Sequence, residues 1–322
     1  MKNSYLIILA VIMASMLFLP LAATALPATQ GNTTLTVAPQ TEDAVRLKTE
    51  AGITEIETDE YLVGVVAAEM PAEYTEEALK AQAVAARTFL NYKKAQNAKE
   101  DYDITADEST DQDFLSEEQL KEKWGDNFGK NLEKIEAVVK ATQDEMIFYE
   151  NKPIMAVYHA VSSGKTETAA NVWGEDYPYL TVTDSIGDLL CPDYLSTVKV
   201  SVEDFKKGMS SLVELSGEAK GWLGKSESTE SGTVSKITLG GKEFKGSDLR
   251  EKFSLKSSSF DLTFDGTSFI FTVRGYGHGV GMSQYGANYM AQQGSDYKEI
   301  LSWYYKDCEI KKALGSGVGL RD

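Results

Sequence analysis

Cysteine and histidine are scarce: the 322 residues hold two of each, Cys191, Cys308, His159 and His278. So few ligands, with no CxxC spacing, exclude a zinc ribbon, a disulfide scaffold and a His-rich metal centre. Positive charge is also short. Lys and Arg number 32 against 49 Asp and Glu, a net charge of −17, which argues against binding driven by phosphate neutralisation and so against nucleic acid. No internal repeat or heptad run is visible. What remains is a globular composition, 42% hydrophobic and 25% charged, with ample chain to bury a core.

The first extended feature is an absence of charge. From Tyr5 to Pro27 the sequence YLIILAVIMASMLFLPLAATALP carries none, and its length suits a hydrocarbon core. It reads as an export segment over residues 1–27, retained as an anchor, although Ala23-Thr24-Ala25 has the form of a signal-peptidase site. Lys2 precedes the run and Glu42 is the first charge after it, so the bulk of the chain is expected outside the cytoplasm, on a single-pass membrane protein. In that compartment Cys191 and Cys308 are open to pairing or to standing as two half-buried thiols. Residues 28–42, rich in Thr, Pro, Gln and Asn, read as a tether.

Order begins near Asp43. Short β-like segments around Val45, Leu47, Ile53 and Ile56 lead to YLVGVVAAEM, a buried helix or strand. Thr75 then caps a helix through EALKAQAVAARTFLNYKKA, whose Leu79, Ala83, Ala86 and Leu90 form one apolar stripe. Residues 99–127 are acidic and polar and read as a mobile loop with a short helix after Ser116. MIFYE and PIMAVYHAV form a hairpin across Asn151-Lys152 that delivers His159 to a strand end. Residues 198–271 have the look of an inserted lobe, with a helix over VEDFKKGMSSLVEL and strands at TVSKITL and FDLTF. A glycine-rich loop, GYGHGVGM, then enters a helix, followed by another over YKEILSWYY. Strands and helices without regular βα alternation indicate an α+β fold with a groove, a body over 43–310 and a tail over 311–322.

Four constellations carry candidate chemistry. Glu69 is a single carboxylate in the apolar run Val66 to Pro71; apolar neighbours raise a carboxyl pKa, as a general acid for glycoside cleavage requires. The plainer reading is a helix-terminal Glu turned to solvent or paired with Lys80 or Arg87. Lys80, Gln82 and Arg87 on the next helix form a solvated face, or a ligand clamp if they meet Glu69 across a groove. Tyr158 to Thr166 offers hydroxyls and a glycine at a strand end, without the GxSxG elbow of a serine hydrolase. Gly275, Gly277, Gly279 and Gly281 alternate through the loop that carries His278, so the backbone can approach a ligand or another segment closely. Their phase is wrong for a dinucleotide fingerprint, and no cofactor is expected.

Taken together, VVAAEMP, EALKAQAVAART, YHAVSSGKTE, NVWG and RGYGHGVGMSQYGA, in that order, resemble the stage II sporulation protein D (SpoIID) family, membrane-anchored lytic transglycosylases of endospore-forming bacteria. The resemblance spans roughly Glu60 to Tyr305. It departs where the family pattern is usually H-S-T-S-G-G and this chain has His159-Ala160-Val161-Ser162-Ser163-Gly164; His159, Ser162 and Gly164 still fit.

The resemblance implies cleavage of peptidoglycan glycan strands that lack stem peptides, between N-acetylmuramic acid and N-acetylglucosamine, leaving 1,6-anhydro-N-acetylmuramic acid ends during engulfment. Attack by the sugar's own C6 hydroxyl dispenses with the second carboxylate that other glycosidases place roughly 5 to 9 Å away. Glu69 would then serve as acid and as base. It further implies that Lys80, Gln82, Arg87, His159, Ser162, Lys165, His278, Gln284 and Tyr285 line the sugar groove. A cell-wall amidase and a membrane scaffold protein are the implied partners. Two other classes stay open: a wall-binding activator of an amidase, which would leave no anhydro ends, and a metal hydrolase built on His159, His278 and a cysteine, which a chelator would inhibit.

Overall fold

The computed structural model describes residues 44–107 and 110–313. The apolar segment, the tether and most of the tail lie outside them. Within the described residues no helix is long and apolar enough to cross a membrane.

The chain is α+β, with small sheets packed around helices. Ala44–Thr49 and Gly52–Glu57 pair antiparallel, with Ile104–Thr105 parallel on the other edge. YLVGVVAAE is helical, as part of α1 (Thr58–Glu69). Thr75 accepts a hydrogen bond from the amide of Ala78 and opens α2 (Glu76–Gln96), whose first turn carries Glu76 and Glu77 against the dipole. Leu79, Ala83, Ala86 and Leu90 are all fully buried. They pack in one core with Val65 and Val66 of α1, Ile147, and Ile135 and Val139 of a further helix.

Ser116 starts α3 (Glu117–Trp124) with a full capping box. The acidic segment before it behaves differently from its composition: residues 111–116 are packed rather than solvated. Asp111 meets Lys93 at 2.6 Å, Gln112 is buried, and the Phe114 ring stacks on Tyr61 at 5.6 Å. A Cβ on Gly64 would lie 2.4 Å from Phe114 and 2.6 Å from the Leu115 carbonyl. Glycine in mid-helix α1, normally a loss of about 1 kcal/mol, is therefore what lets this segment lie against it.

The helix α4 (Phe128–Ala141) precedes strand Glu145–Tyr149. That strand pairs with Lys152–Pro153 and, on its other side, with Glu309–Lys312. Its turn is Glu150-Asn151, both at positive φ, one residue earlier than the sequence suggests. The return strand also stops at Pro153, and Tyr158–His159 instead pairs parallel with Met282–Ser283.

A second core, built on Phe205, Trp222, Phe269 and Phe271, lies within residues 195–274. Phe205 and Phe269 stack at 3.9 Å between ring centroids. Its helix ends at Met209, earlier than expected, because the Ser210 hydroxyl turns to the Lys207 carbonyl and competes with the helical ladder.

Candidate active site

Glu69 is the last residue of α1, a helix with no basic side chain in its final turn. Lys123 of α3 satisfies the orphan carbonyls there, donating to Ala67 O at 2.8 Å and to Ala68 O at 3.3 Å. The Glu69 carboxylate is half-buried and meets neither Lys80 nor Arg87. Its Oε1 accepts from the amide of Asp113 at 3.0 Å and lies 3.3 Å from the Tyr158 hydroxyl; its Oε2 accepts from Gln284 Nε2 at 3.1 Å. Burial pushes its pKa up, and the hydrogen bonds from the Asp113 amide and Gln284 only partly offset that. The charge of Asp113 adds to the upward push, although its carboxylate turns to the amide of Phe114 at 2.8 Å.

Gln284 opens α5 (Gln284–Gln292), whose cap is Ser283. One face of α5 meets α2 twice. Gln284 Nε2 donates to Gln82 Oε1 at 3.5 Å, and Asn288, four residues on, accepts from the amide and hydroxyl of Thr75. Gln82 is fully buried, with its Nε2 lacking a partner. Glu69, Gln82, Tyr158 and Gln284 thus form one hydrogen-bonded cluster.

The other residues named from sequence make contacts of their own. Lys80 is held by Glu77 at 2.7 Å. Arg87 is buried and donates to the carbonyls of Thr142 at 2.7 Å and Val139 at 3.3 Å, tying α2 to the end of α4. Lys165 is exposed and pairs with Glu230 at 2.8 Å. The Tyr285 hydroxyl donates to the Leu190 carbonyl, and its ring lies edge-on to Tyr74.

His159 and His278 lie together, ring centroids 5.8 Å apart. Burial pushes His159 down to about 4 and His278 down to about 3, so both imidazoles are neutral at ordinary pH. Nδ1 of His159 donates to the Val280 carbonyl at 3.1 Å, while Nδ1 of His278 accepts from the Val280 amide at 3.0 Å. The alternating glycines explain this closeness. A Cβ on Gly275 would lie 2.5 Å from Val161 O, on Gly277 2.8 Å from the His159 Cβ, and on Gly281 2.0 Å from Val157 O. At Gly279 there is room, and only its φ of +83° favours glycine. Trp173 stands 5.1 Å from His278, with 42% of its surface exposed.

Four further polar residues of this region escape a sequence reading. Gln112 accepts from the Tyr158 hydroxyl at 2.9 Å and donates to the Tyr61 oxygen at 3.1 Å. Asp113 supplies its backbone amide to Glu69. Asp188, fully buried, accepts from the Ser162 amide at 2.9 Å and the Ser283 hydroxyl at 2.8 Å, joining the histidine strand to the cap of α5. Glu167 takes Thr168 N–H and Asn171 on one oxygen and Thr229 and Ser231 on the other. Burial alone would raise Glu167, but those hydrogen bonds outweigh it and hold its pKa below the usual value. The only sequence signal is polar residues with no capping role.

Cys191 and Cys308 are both free thiols. Among the described residues no three His, Cys, Asp or Glu side chains gather as a metal site.

The Glu69 carboxyl, raised by burial and held by a backbone amide and a side-chain amide beside a phenol, is chemically able to exchange a proton. A family model described as Stage II sporulation protein matches residues 47–149. Stage II sporulation protein D of Bacillus amyloliquefaciens is 40% identical over 262 residues, 80% of this chain and 75% of that protein. Its counterpart in Bacillus subtilis (strain 168) is 36% identical over 297 residues, 89% and 83% respectively. An amidase enhancer of Bacillus subtilis (strain 168) is 28% identical over 296 residues, 76% of this chain and 39% of that protein. The chain belongs to the stage II sporulation protein D family.

Proposed function

We propose that this protein is a lytic transglycosylase acting on peptidoglycan glycan strands without stem peptides, in the remodelling of the wall during sporulation. The observation that carries the reading is Glu69: one carboxyl, raised by burial and bonded to neutral donors. Protonated, Glu69 donates to the glycosidic oxygen between N-acetylmuramic acid and N-acetylglucosamine as that bond breaks. As carboxylate it then takes the proton of the C6 hydroxyl, whose oxygen closes on C1 to give the 1,6-anhydro sugar. Asp113 N–H and Gln284 stabilise the charge that appears on Glu69 between the two steps. The exposed Trp173 face beside His278 suits stacking against a sugar ring. His159, Ser162, Lys165, His278, Tyr285, Lys80 and Arg87 are proposed to bind or shape the glycan groove.

The N-terminal apolar segment would hold the protein in the cell membrane with this domain outside, next to an amidase that strips stem peptides and a membrane scaffold. Cell fractionation with protease added from outside tests the topology: a soluble form beginning at Leu26 would overturn the anchor. A second reading, a wall-binding activator of an amidase, draws on the relative named amidase enhancer. Digestion of denuded glycan by the purified protein, with mass analysis of the released sugars, decides between them. Anhydro-muramyl ends are expected; their absence, with amidase stimulation intact, would replace the enzyme by the activator.

A further inference from the structure

The Tyr158 hydroxyl has one hydrogen and two acceptors in reach. Gln112 Oε1 lies at 2.9 Å and Glu69 Oε1 at 3.3 Å, so the hydrogen goes to Gln112. The phenol oxygen then turns a lone pair towards Glu69, where only a protonated carboxyl has something to donate. We propose that Gln112 is a positioning residue that acts through Tyr158: by holding the phenol hydrogen, it makes Tyr158 an acceptor for the acid form of Glu69.

This rests on Glu69 being the acid proposed above. Gln112 is fitted for the task. It is 2% exposed, and its Nε2 donates to the Tyr61 oxygen at 3.1 Å, so both ends of its amide are engaged. Its segment is fastened by the Asp111–Lys93 pair on one side and by Phe114, stacked on Tyr61 over Gly64, on the other. The same segment gives Glu69 the amide of Asp113. The acidic stretch therefore supplies both a donor for the carboxylate and the device that preserves an acceptor for the acid. The ionisable groups that face Glu69 are Tyr61 on its own helix, Asp113 on the acidic segment and Tyr158 on the histidine strand; Lys123 of α3 contacts the neighbouring carbonyls.

The sign of two pKa changes tests this. Without Gln112 the phenol hydrogen is released to the Glu69 carboxylate and favours the charged form. Without the phenol, the acid form loses its acceptor. Gln112→Met and Tyr158→Phe should therefore each lower the Glu69 titration midpoint, by on the order of one pH unit for one hydrogen bond. The double variant should match Tyr158→Phe alone, because Gln112 acts only through the phenol. The midpoint is read on the full chain in detergent by 13C NMR of carboxyl-labelled glutamate, with Glu69→Gln assigning the signal. The alkaline limb of glycan cleavage should move down by the same amount. A rise of the midpoint in Tyr158→Phe would show that the phenol donates to Glu69, and would overturn the proposal. So would an unchanged midpoint in Gln112→Met. If the midpoints fall as stated while the wild type releases no anhydro sugar, the positioning role stands and the proposed activity fails.

Discussion

Replacing Glu69 by Gln removes the dissociable proton and nearly nothing else. The carboxylate accepts on both oxygens, whereas a glutamine side chain offers one oxygen and one NH2. Keeping its oxygen on the Asp113 amide would set its nitrogen against Gln284 Nε2, at the present 3.1 Å contact. Gln284 resolves this by turning over its amide, which presents its own oxygen to residue 69. Gln82 can then rotate its Nε2, unpartnered in the native arrangement, towards Gln284. The exchange replaces hydrogen bonds to a charge, about 1.5–3 kcal/mol each, by neutral ones of about 1 kcal/mol, but it also removes the desolvation of a half-buried carboxylate. The fold should survive with Tm at pH 7 unchanged or raised. Because burial raises the folded pKa of Glu69, the wild type is favoured below the unfolded value of about 4.3 and loses that contribution as pH climbs through the folded pKa. Any gain in Tm from Glu69→Gln should therefore fade in acid. Release of anhydro-muramyl sugars from denuded glycan should fall by at least about 10²- to 10⁴-fold, with binding to long glycan retained. A wild-type rate would mean that another group is the acid, and exposed Glu73 would be the carboxyl to examine. A drop of many degrees in Tm at pH 7 would refute the amide exchange.

Gly281→Ala should be far more damaging than Gly279→Ala, since its Cβ would meet Val157 O at 2.0 Å while that of Gly279 meets only Glu167 at 3.5 Å; chemical denaturation should show a loss above about 3 kcal/mol against about 1–2 for Gly279. Arg87→Met should lower stability by about 1–3 kcal/mol through loss of the buried guanidinium's bonds to the Thr142 and Val139 carbonyls, which keep the Glu145 amide and the Thr142 hydroxyl as donors, and a variant with native Tm but weakened glycan binding would show that Arg87 is a ligand clamp instead. Glu167→Gln should destabilise at neutral pH. Because the folded pKa of Glu167 is lowered, its contribution is present above the unfolded value and disappears as pH falls through the folded one, so Tm curves of variant and wild type should converge in acid.

Local chemistry was legible wherever its cause lies within a few residues. The stripe of Leu79, Ala83, Ala86 and Leu90, the caps at Thr75 and Ser116, and the alternating glycines from Gly275 to Gly281 all follow from short-range periodicity, capping or backbone freedom. The apolar run around Glu69 likewise marks a carboxyl with little solvation. These features carry the α+β character and the main site candidate, because helix and turn preferences are set by neighbours in the chain.

What only the tertiary structure decided are the partners. The amide that holds Glu69 comes from Asp113 and the other donor from Gln284, on opposite sides in the sequence. Nothing in an acidic stretch announces that Gln112 is buried; that depends on Phe114 finding the space left by Gly64. Arg87 reads as a surface cation until the end of α4 presents two carbonyls to it. Asp188 is unremarkable in IGDLL, yet in the fold it is fully buried between Ser162 and Ser283. A polar side chain is neutral in sequence between solvent and a buried bond. Desolvation makes the difference, since a buried polar group must find partners, and which partners are in reach is fixed only when distant segments pack.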